Sequence, residues 1–261
     1  MPAANLSLFQ MRILNIVFLL SLCGLLNVKA QEETVVISSR AGRSTGVDVM
    51  PFRSLQLESR IEYDHGECEQ VLLPGMMLRY GITKLAEIWV EYTGFYGNES
   101  DVFAYQVNPL MVGTKVRIAN PHGWIPETSL QTAMSIPLVQ GEEHVCLAPS
   151  ILLLFDDKLL SWLNIGYNVG MEWNGTSIHP ITNVSFCFDV NLSERVGFFC
   201  ENYNAFQATD SSPMSLTDCQ LGAGVNFFPH PNVQIDVYGS CNVIKTDFHI
   251  LAGVGLSWLI H

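Results

Sequence analysis

The side-chain types of a hydrolytic triad occur together in the second half of the chain, at His179, Ser185 and Asp189. A triad needs its nucleophile, base and orienting acid within hydrogen-bond reach of one another. Ser185 and Asp189 share one alternating stretch while His179 precedes it in a polar connection, so the spacing does not define that geometry. No GxSxG elbow, HExxH helix or phosphate-binding glycine loop is present. The cysteines are scattered as Cys23, Cys68, Cys146, Cys187, Cys200, Cys219 and Cys241, with no CxxC pair and no histidine at zinc spacing. A disulfide between loop cysteines is open to an exported chain, and spacing selects none. We therefore expect no catalytic residue, no cofactor and no metal. A net charge of −12 and a pI near 4.9 also exclude nucleic acid as a partner, which needs a basic face.

The other residues able to act on a solute are charges, and they recur at alternate positions. Glu58, Arg60 and Glu62 face one way in 55–63, while Leu55, Leu57, Ile61 and Tyr63 face the other. In 163–172, Leu163, Ile165, Tyr167, Val169 and Met171 alternate with Asn164, Gly166, Asn168, Gly170 and Glu172. A period of two is the signature of a strand with two unlike faces. Similar stretches cover 71–80, 87–93, 108–118, 129–138, 147–155, 183–190, 196–203, 219–227, 233–238 and 248–259. That is about twelve strands, and an even number is what a single-chain bacterial barrel requires.

The connections alternate as well. Those at 81–84, 156–158, 191–195 and 228–232 are tight, and 120–126 is a little longer; those at 94–104, 174–180 and 205–217 are longer and polar. Short periplasmic turns opposite longer outer loops are the pattern of an outer-membrane barrel. Composition agrees: 48% of residues are hydrophobic, 15% are charged and the mean hydropathy is +0.24. Beyond the N-terminus no run reaches the roughly 18 apolar residues of a spanning helix. A soluble barrel would turn the apolar face inward, yet the polar face is rich in glycine (Gly166, Gly170, Gly222, Gly224, Gly253, Gly255) where a solvated surface favours Lys, Glu and Thr. Aromatics stand near strand ends (Tyr80, Tyr92, Phe155, Tyr167, Phe227, Trp258), as interface girdles do. Gly253, Leu256 and Trp258 also have the spacing of a barrel-insertion signal, although the chain runs on to His261. The expected fold is an all-β transmembrane antiparallel up-and-down barrel of about twelve strands.

Export is expected from the N-terminus. Met11-Arg12 precedes an apolar run over 13–26, and small residues stand at Val28 and Ala30, which reads as a signal peptide over 1–30 with a mature start at Gln31. A start at Met11 gives the tidier signal. Leu22 before Cys23 argues against lipidation. Residues 31–51 then form an N-terminal segment and 52–261 the barrel, placed in the cell outer membrane with its lipid and the barrel-assembly machinery as partners.

Six segments, in order along the mature chain, resemble one family: 39–58 (SRAGRSTGVDVMPFRSLQLE), 78–85 (LRYGITKL), 112–115 (VGTK), 123–130 (GWIPETSL), 166–173 (GYNVGMEW) and 253–258 (GVGLSW). The chain is similar to the outer-membrane transporter family named for the meta pathway of phenol degradation, in its Bacteroidetes form. It departs from that pattern in the loops, in its cysteines and at Ala41, where proline is expected. The resemblance implies a channel or transporter, with small hydrophobic or aromatic compounds among its solutes.

With the apolar face toward lipid, the polar face lines a lumen. The first four strands contribute Glu58, Arg60, Glu62, Arg79, Glu87, Glu91, Lys115 and Arg117, whose opposite charges favour cross-strand pairs. Later strands contribute Glu172, Asp189, Glu201, Asp236 and His249 with few cations opposite. One wall should be bulky and charge-paired, the other acidic and glycine-rich, favouring cations or neutral solutes over anions. Segment 31–51 is most simply a periplasmic tail; the alternative is that it folds into the lumen, its Arg40 and Arg43 meeting the acidic wall. Passive passage of small solutes follows from the first picture. A closed barrel with a structural or surface-interaction role, presenting 94–104 and 205–217 outside, is the competing one.

Overall fold

The computed structural model describes residues 36–38, 42–66, 69–99, 102–137, 148–175, 177–209, 212–245 and 249–260. The expected signal peptide, residues 31–35, Arg40, Cys68 and Cys146 lie outside them. Strand β1 (Leu55–His65) pairs on one side with β2 (Glu69–Gly81) and on the other with β13 (Ile250–Ile260), so the first and last strands close the sheet. Between them run β3 (Ala86–Glu99), β4 (Val102–Val107), β5 (Leu110–Ala119), β6 (Glu127–Ile136), β7 (Ala148–Leu160), β8 (Leu163–Glu172), β9 (Ile181–Ser193), β10 (Val196–Thr209), β11 (Ser212–His230) and β12 (Val233–Asn242), every neighbouring pair antiparallel.

Thirteen segments make twelve staves. β4 and β5 both pair with β3, which faces Val107 at Gly94 and Met111 at Glu91. They are halves of one strand, interrupted at Asn108-Pro109 because proline has no N–H for the ladder. Asn108 closes the break: its backbone N–H donates to Thr93 O and its Nδ2 to Thr93 Oγ1, each at 2.9 Å. The fold is a closed all-β transmembrane barrel.

The two faces decide between lipid and water outside. Val237 and Val254 are 57% and 50% exposed, whereas Gln56, Arg79, Glu87 and Lys115 are 0% exposed. Apolar outside with charge inside inverts a soluble barrel and suits hydrocarbon, where a closed ladder pairs the peptide groups of the wall with one another. Phe155, Tyr167 and Phe186 stack along the outer face, with centroids 4.9 and 6.5 Å apart.

Two expectations about connections need correction. The segments 94–104 and 205–217, read as outer loops, are largely hairpin: β3 runs to Glu99 before β4 resumes at Val102, and β10 runs to Thr209 before β11 starts at Ser212. Their polar residues pair across a ribbon, and the Tyr96 and Tyr105 rings meet 5.1 Å apart. On the opposite side the tight turns at 156–158, 191–195 and 228–232 shift outward. Pairing persists to Leu160, Ser193 and His230, leaving two residues in each turn.

Glycines on the polar face do not open space. A Cβ on Gly224 would lie 2.5 Å from the Phe199 ring, one on Gly253 2.5 Å from the Tyr238 ring, and one on Gly113 2.3 Å from the Trp89 indole. Each bare backbone is the bed for a ring on the next strand, an arrangement that pins register. Gly166 differs, with nothing closer than 3.7 Å.

Candidate functional site: the lumen and the segment within it

The residues before β1 meet barrel residues on β1, β2, β3, β5, β6, β8 and β10. Gln56 Nε2 and Arg79 Nη1 donate to Ile37 O at 2.7 and 2.6 Å. Asn168 Nδ2 donates to Thr45 O at 3.0 Å, Lys115 Nζ to Gly46 O at 2.8 Å and Ser129 Oγ to Val47 O at 2.7 Å. Arg79 Nη2 reaches Asp48 O at 3.2 Å, and the Met50 N–H donates to Glu87 Oε2 at 2.6 Å. Only the inside of a closed ring touches strands so widely spaced around it. Residues 36–38 and 42–50 therefore occupy the lumen instead of trailing away as a tail.

The path is a loop with both ends at the side of the short turns. Val36 N–H donates to Pro231 O in the β11–β12 turn at 2.7 Å, and Val36, Met50 and Leu259 share one buried apolar cluster. Among the described residues the tip is 42–44, where the Arg43 and Ser44 N–H groups each donate to a different oxygen of Glu201 at 2.8 Å. A Cβ on Gly42 would lie 2.3 Å from Glu201 Oε1, and the residue has a φ of 95°, so glycine serves both the close approach and the bend. After Met50 the chain reverses through Pro51–Ser54, with Ser54 N–H donating to Pro51 O at 3.0 Å and Arg53 at a φ of 64°, and enters β1.

Around this loop the charges form distinct groups. Arg79 holds Glu87 through Nε and Nη2 at 3.0 and 2.9 Å and Glu58 through Nη1 at 2.9 Å, in addition to its two carbonyls. Its fork meets a carboxylate with two parallel bonds, which lysine cannot do. Arg60 meets Glu91 at 2.7 Å and Glu62 at 3.6 Å, and Tyr238 donates to Glu62 at 2.6 Å. Arg117 lies 2.8 Å from Glu127 and 3.6 Å from Asp48 on the loop. Lys115 stands directly opposite Glu87 in the β3–β5 register, yet its ammonium is turned to the carbonyls of Gly46 and Asp48.

The five residues of the later strands do not assemble. Glu201 is taken by backbone N–H groups, Asp236 accepts from Gln234 Nε2 at 2.7 Å, and His249 reaches across to Asp64 on β1 at 3.0 Å. Glu172 lines an open cavity toward the outer rim, and Asp189 sits beside buried Cys187. Arg43 meets the later strands by its backbone; its guanidinium stands over the Tyr203 ring, 5.6 Å from the centroid. Sequence reading passed over Gln56, Ser129 and Asn168, because alternation puts them on the polar face but no charge marks them as anchors. His179 is exposed in the connection between β8 and β9, while Ser185 is buried. Cys187, Cys200, Cys219 and Cys241 are free thiols.

Above the tip the lumen opens into a cavity of about 520 Å³. Arg43 and Thr45 form its floor, Leu72, Phe95 and Met111 line one side, and Asn168, Asn183 and Tyr203 the other. Beside the tip, toward the short turns, a void of only about 30 Å³ lies among Glu58, Arg60, Asp236 and Ser257.

A closed twelve-stave barrel with an apolar belt and a charged interior is a transmembrane barrel of outer-membrane type. Solved structures of that type are similar to it: an outer membrane channel from Pseudomonas putida F1, with a TM-score of 0.63 at 6% identity over 82% of this chain and 98% of that one; the NanC porin, with 0.57 at 9% over 77% and 98%; and the KdgM porin, with 0.50 at 11% over 79% and 99%. At these identities the likeness is one of fold. No protein-family model matches the chain, and no curated protein matches it either.

Proposed function

We propose that this protein is a passive, non-enzymatic channel of the outer membrane for small solutes, closed at rest by its own residues 36–38 and 42–50. The observation that carries the reading is a polar cavity of about 520 Å³ inside an apolar-belted barrel, floored by a loop that is not part of the wall. The fold shared with an outer membrane channel and two porins supports it. The cavity sets Leu72, Phe95 and Met111 against amides and a tyrosine, which suits amphipathic solutes with an apolar or aromatic part. That solute range also agrees with the resemblance to the transporter family named for the meta pathway of phenol degradation, in which we place the chain. Export through the signal peptide and insertion by the barrel-assembly machinery belong to the same reading.

A closed barrel with a surface role draws support from one observation, the hydrogen-bonded loop across the lumen. Planar-bilayer recording separates the two. The full chain should open rarely, and a chain lacking residues 36–50 should conduct steadily. If the shortened chain folds, by its circular dichroism and its heat-modifiable migration, and stays silent, the channel reading fails.

A further inference from the structure

The loop tip has the form of an anion receptor whose occupant is the protein's own carboxylate. Successive N–H groups of Arg43 and Ser44 converge on the two oxygens of Glu201, each at 2.8 Å, and Gly42 leaves room for the approach. Adjacent peptide N–H groups that converge in this way favour an anion. The same tip is the floor of the outer cavity, where Arg43 and Thr45 face open space. The Arg43 side chain is exposed; its guanidinium stands over an aromatic ring, and no carboxylate of the described residues is ion-paired with it. Of the three acids that line this cavity, Glu62 is held by Arg60 and Tyr238 and Asp64 by His249, while Glu172 stands on β8 toward the outer rim.

From this arrangement we infer that the tip is a binding site for the carboxylate of a small amphipathic acid arriving from the outer side. Its carboxylate replaces that of Glu201 on the Arg43 and Ser44 N–H groups. It also gains what Glu201 lacks, the guanidinium of Arg43, a charge-assisted donor. The apolar body of the acid lies toward Leu72, Phe95 and Met111, across the cavity from Tyr203. No covalent bond changes; one carboxylate exchanges for another, and the loop loses its hydrogen bonds to Glu201 on β10. The inference rests on the channel reading above, because it makes the solute itself the agent that loosens the loop.

An alcohol of the same length has no anion for the receptor, and an amine brings the wrong charge to Arg43. Titration calorimetry on the full chain in detergent, with hexanoate as probe and 1-hexanol and hexylammonium as comparators, tests the site. Hexanoate should bind saturably and weaken about tenfold in Arg43→Ala, the loss of one charge-assisted contact. In Glu201→Gln the internal competitor is removed, and hexanoate should bind about tenfold more tightly. A residue that merely braced the fold would not improve binding when replaced. Glu201→Asp, which keeps the charge but withdraws it by one methylene, should move affinity the same way if the glutamine variant folds poorly. The proposal is overturned if the Glu201 variants bind hexanoate no better than the parent, or if 1-hexanol shows the same dependence on Arg43. Conductance on deleting residues 36–50 with no hexanoate binding would overturn this inference and leave the channel reading standing. Hexanoate binding with a silent deletion chain would uphold the site and remove the transport reading.

Discussion

The two halves of the lumen are built on opposite plans. Toward the short turns, side chains from most of the ring reach inward to one loop, and a void among them holds only about 30 Å³, room for a couple of water molecules. Toward the outer rim, about 520 Å³ is open, and Asp64 there is paired with His249 instead of with the loop. The contrast shows what an identical alternation of strand residues can be used for. In the first half inward groups serve a segment threaded among them; in the second they coat a space. A single solvent-filled tube would have no reason to bury Arg79 and Lys115 completely.

The largest effect on that contrast should come from Arg79. It makes five hydrogen bonds, three to Glu58 and Glu87 and two to loop carbonyls. Arg79→Met leaves two inward carboxylates without their cation, which for a buried group costs about 3–5 kcal/mol. Denaturant unfolding in detergent micelles should register a loss of that size, and openings in bilayers should become frequent. Adding Glu87→Gln should recover part of the loss, since the more buried unpaired charge is gone. If Arg79→Met unfolds at the parent's midpoint, the hub is not what secures the loop.

Next in size is the fit of ring to glycine. Gly224→Leu drives a side chain into the space of Phe199, which is 0% exposed, and overpacking of this kind costs about 1–3 kcal/mol. Gly166→Ala is the control on the same barrel, because its new methyl meets nothing within 3.7 Å and should be tolerated. Equal losses in both would mean that the glycines serve backbone conformation instead of the rings. Asn168→Ala follows with about 0.5–1.5 kcal/mol, since the half-buried Thr45 carbonyl then loses its donor. It should also increase channel openings, as no outer-rim substitution does.

Much of this was legible in the residues. Period-two alternation in 163–172 places strand β8 at its observed bounds, and the exposed apolar column follows from it. The charge pairs of β1–β3 were readable because opposite signs alternate on neighbouring strands. The hairpin nature of 94–104 was hidden by polarity: Asn98, Glu99 and Tyr105 look like loop residues, and only pairing across the ribbon makes them strand. The role of Glu201 was hidden for another reason. Its partners are peptide N–H groups 158 and 157 residues away, and a backbone donor leaves no mark in side-chain identity. Lys115 shows the same limit, since its opposition to Glu87 suggests an ion pair while its ammonium serves two carbonyls. The destination of 36–50 depended on such bonds, so charge alone suggested the lumen only as an alternative.

The smallest expected effect is at the outer rim, and it tests the contrast from the other side. His249 Nε2 lies 3.0 Å from Asp64 Oδ1, with the side chains 15% and 31% exposed. Both groups keep access to water, so the pair is screened and its loss is easily rehydrated. His249→Gln should therefore cost at most about 1 kcal/mol in micelle unfolding. It should leave the rate of bilayer openings at the parent's value, because neither partner is bonded to the described loop residues 36–38 and 42–50. A loss approaching that of Arg79→Met, or a change in opening rate, would mean that the rim pair is coupled to the loop and that the halves are not built independently. A small loss with unchanged gating would instead confine control of the lumen to the residues that grip the loop, from Gln56 on β1 to Glu201 on β10.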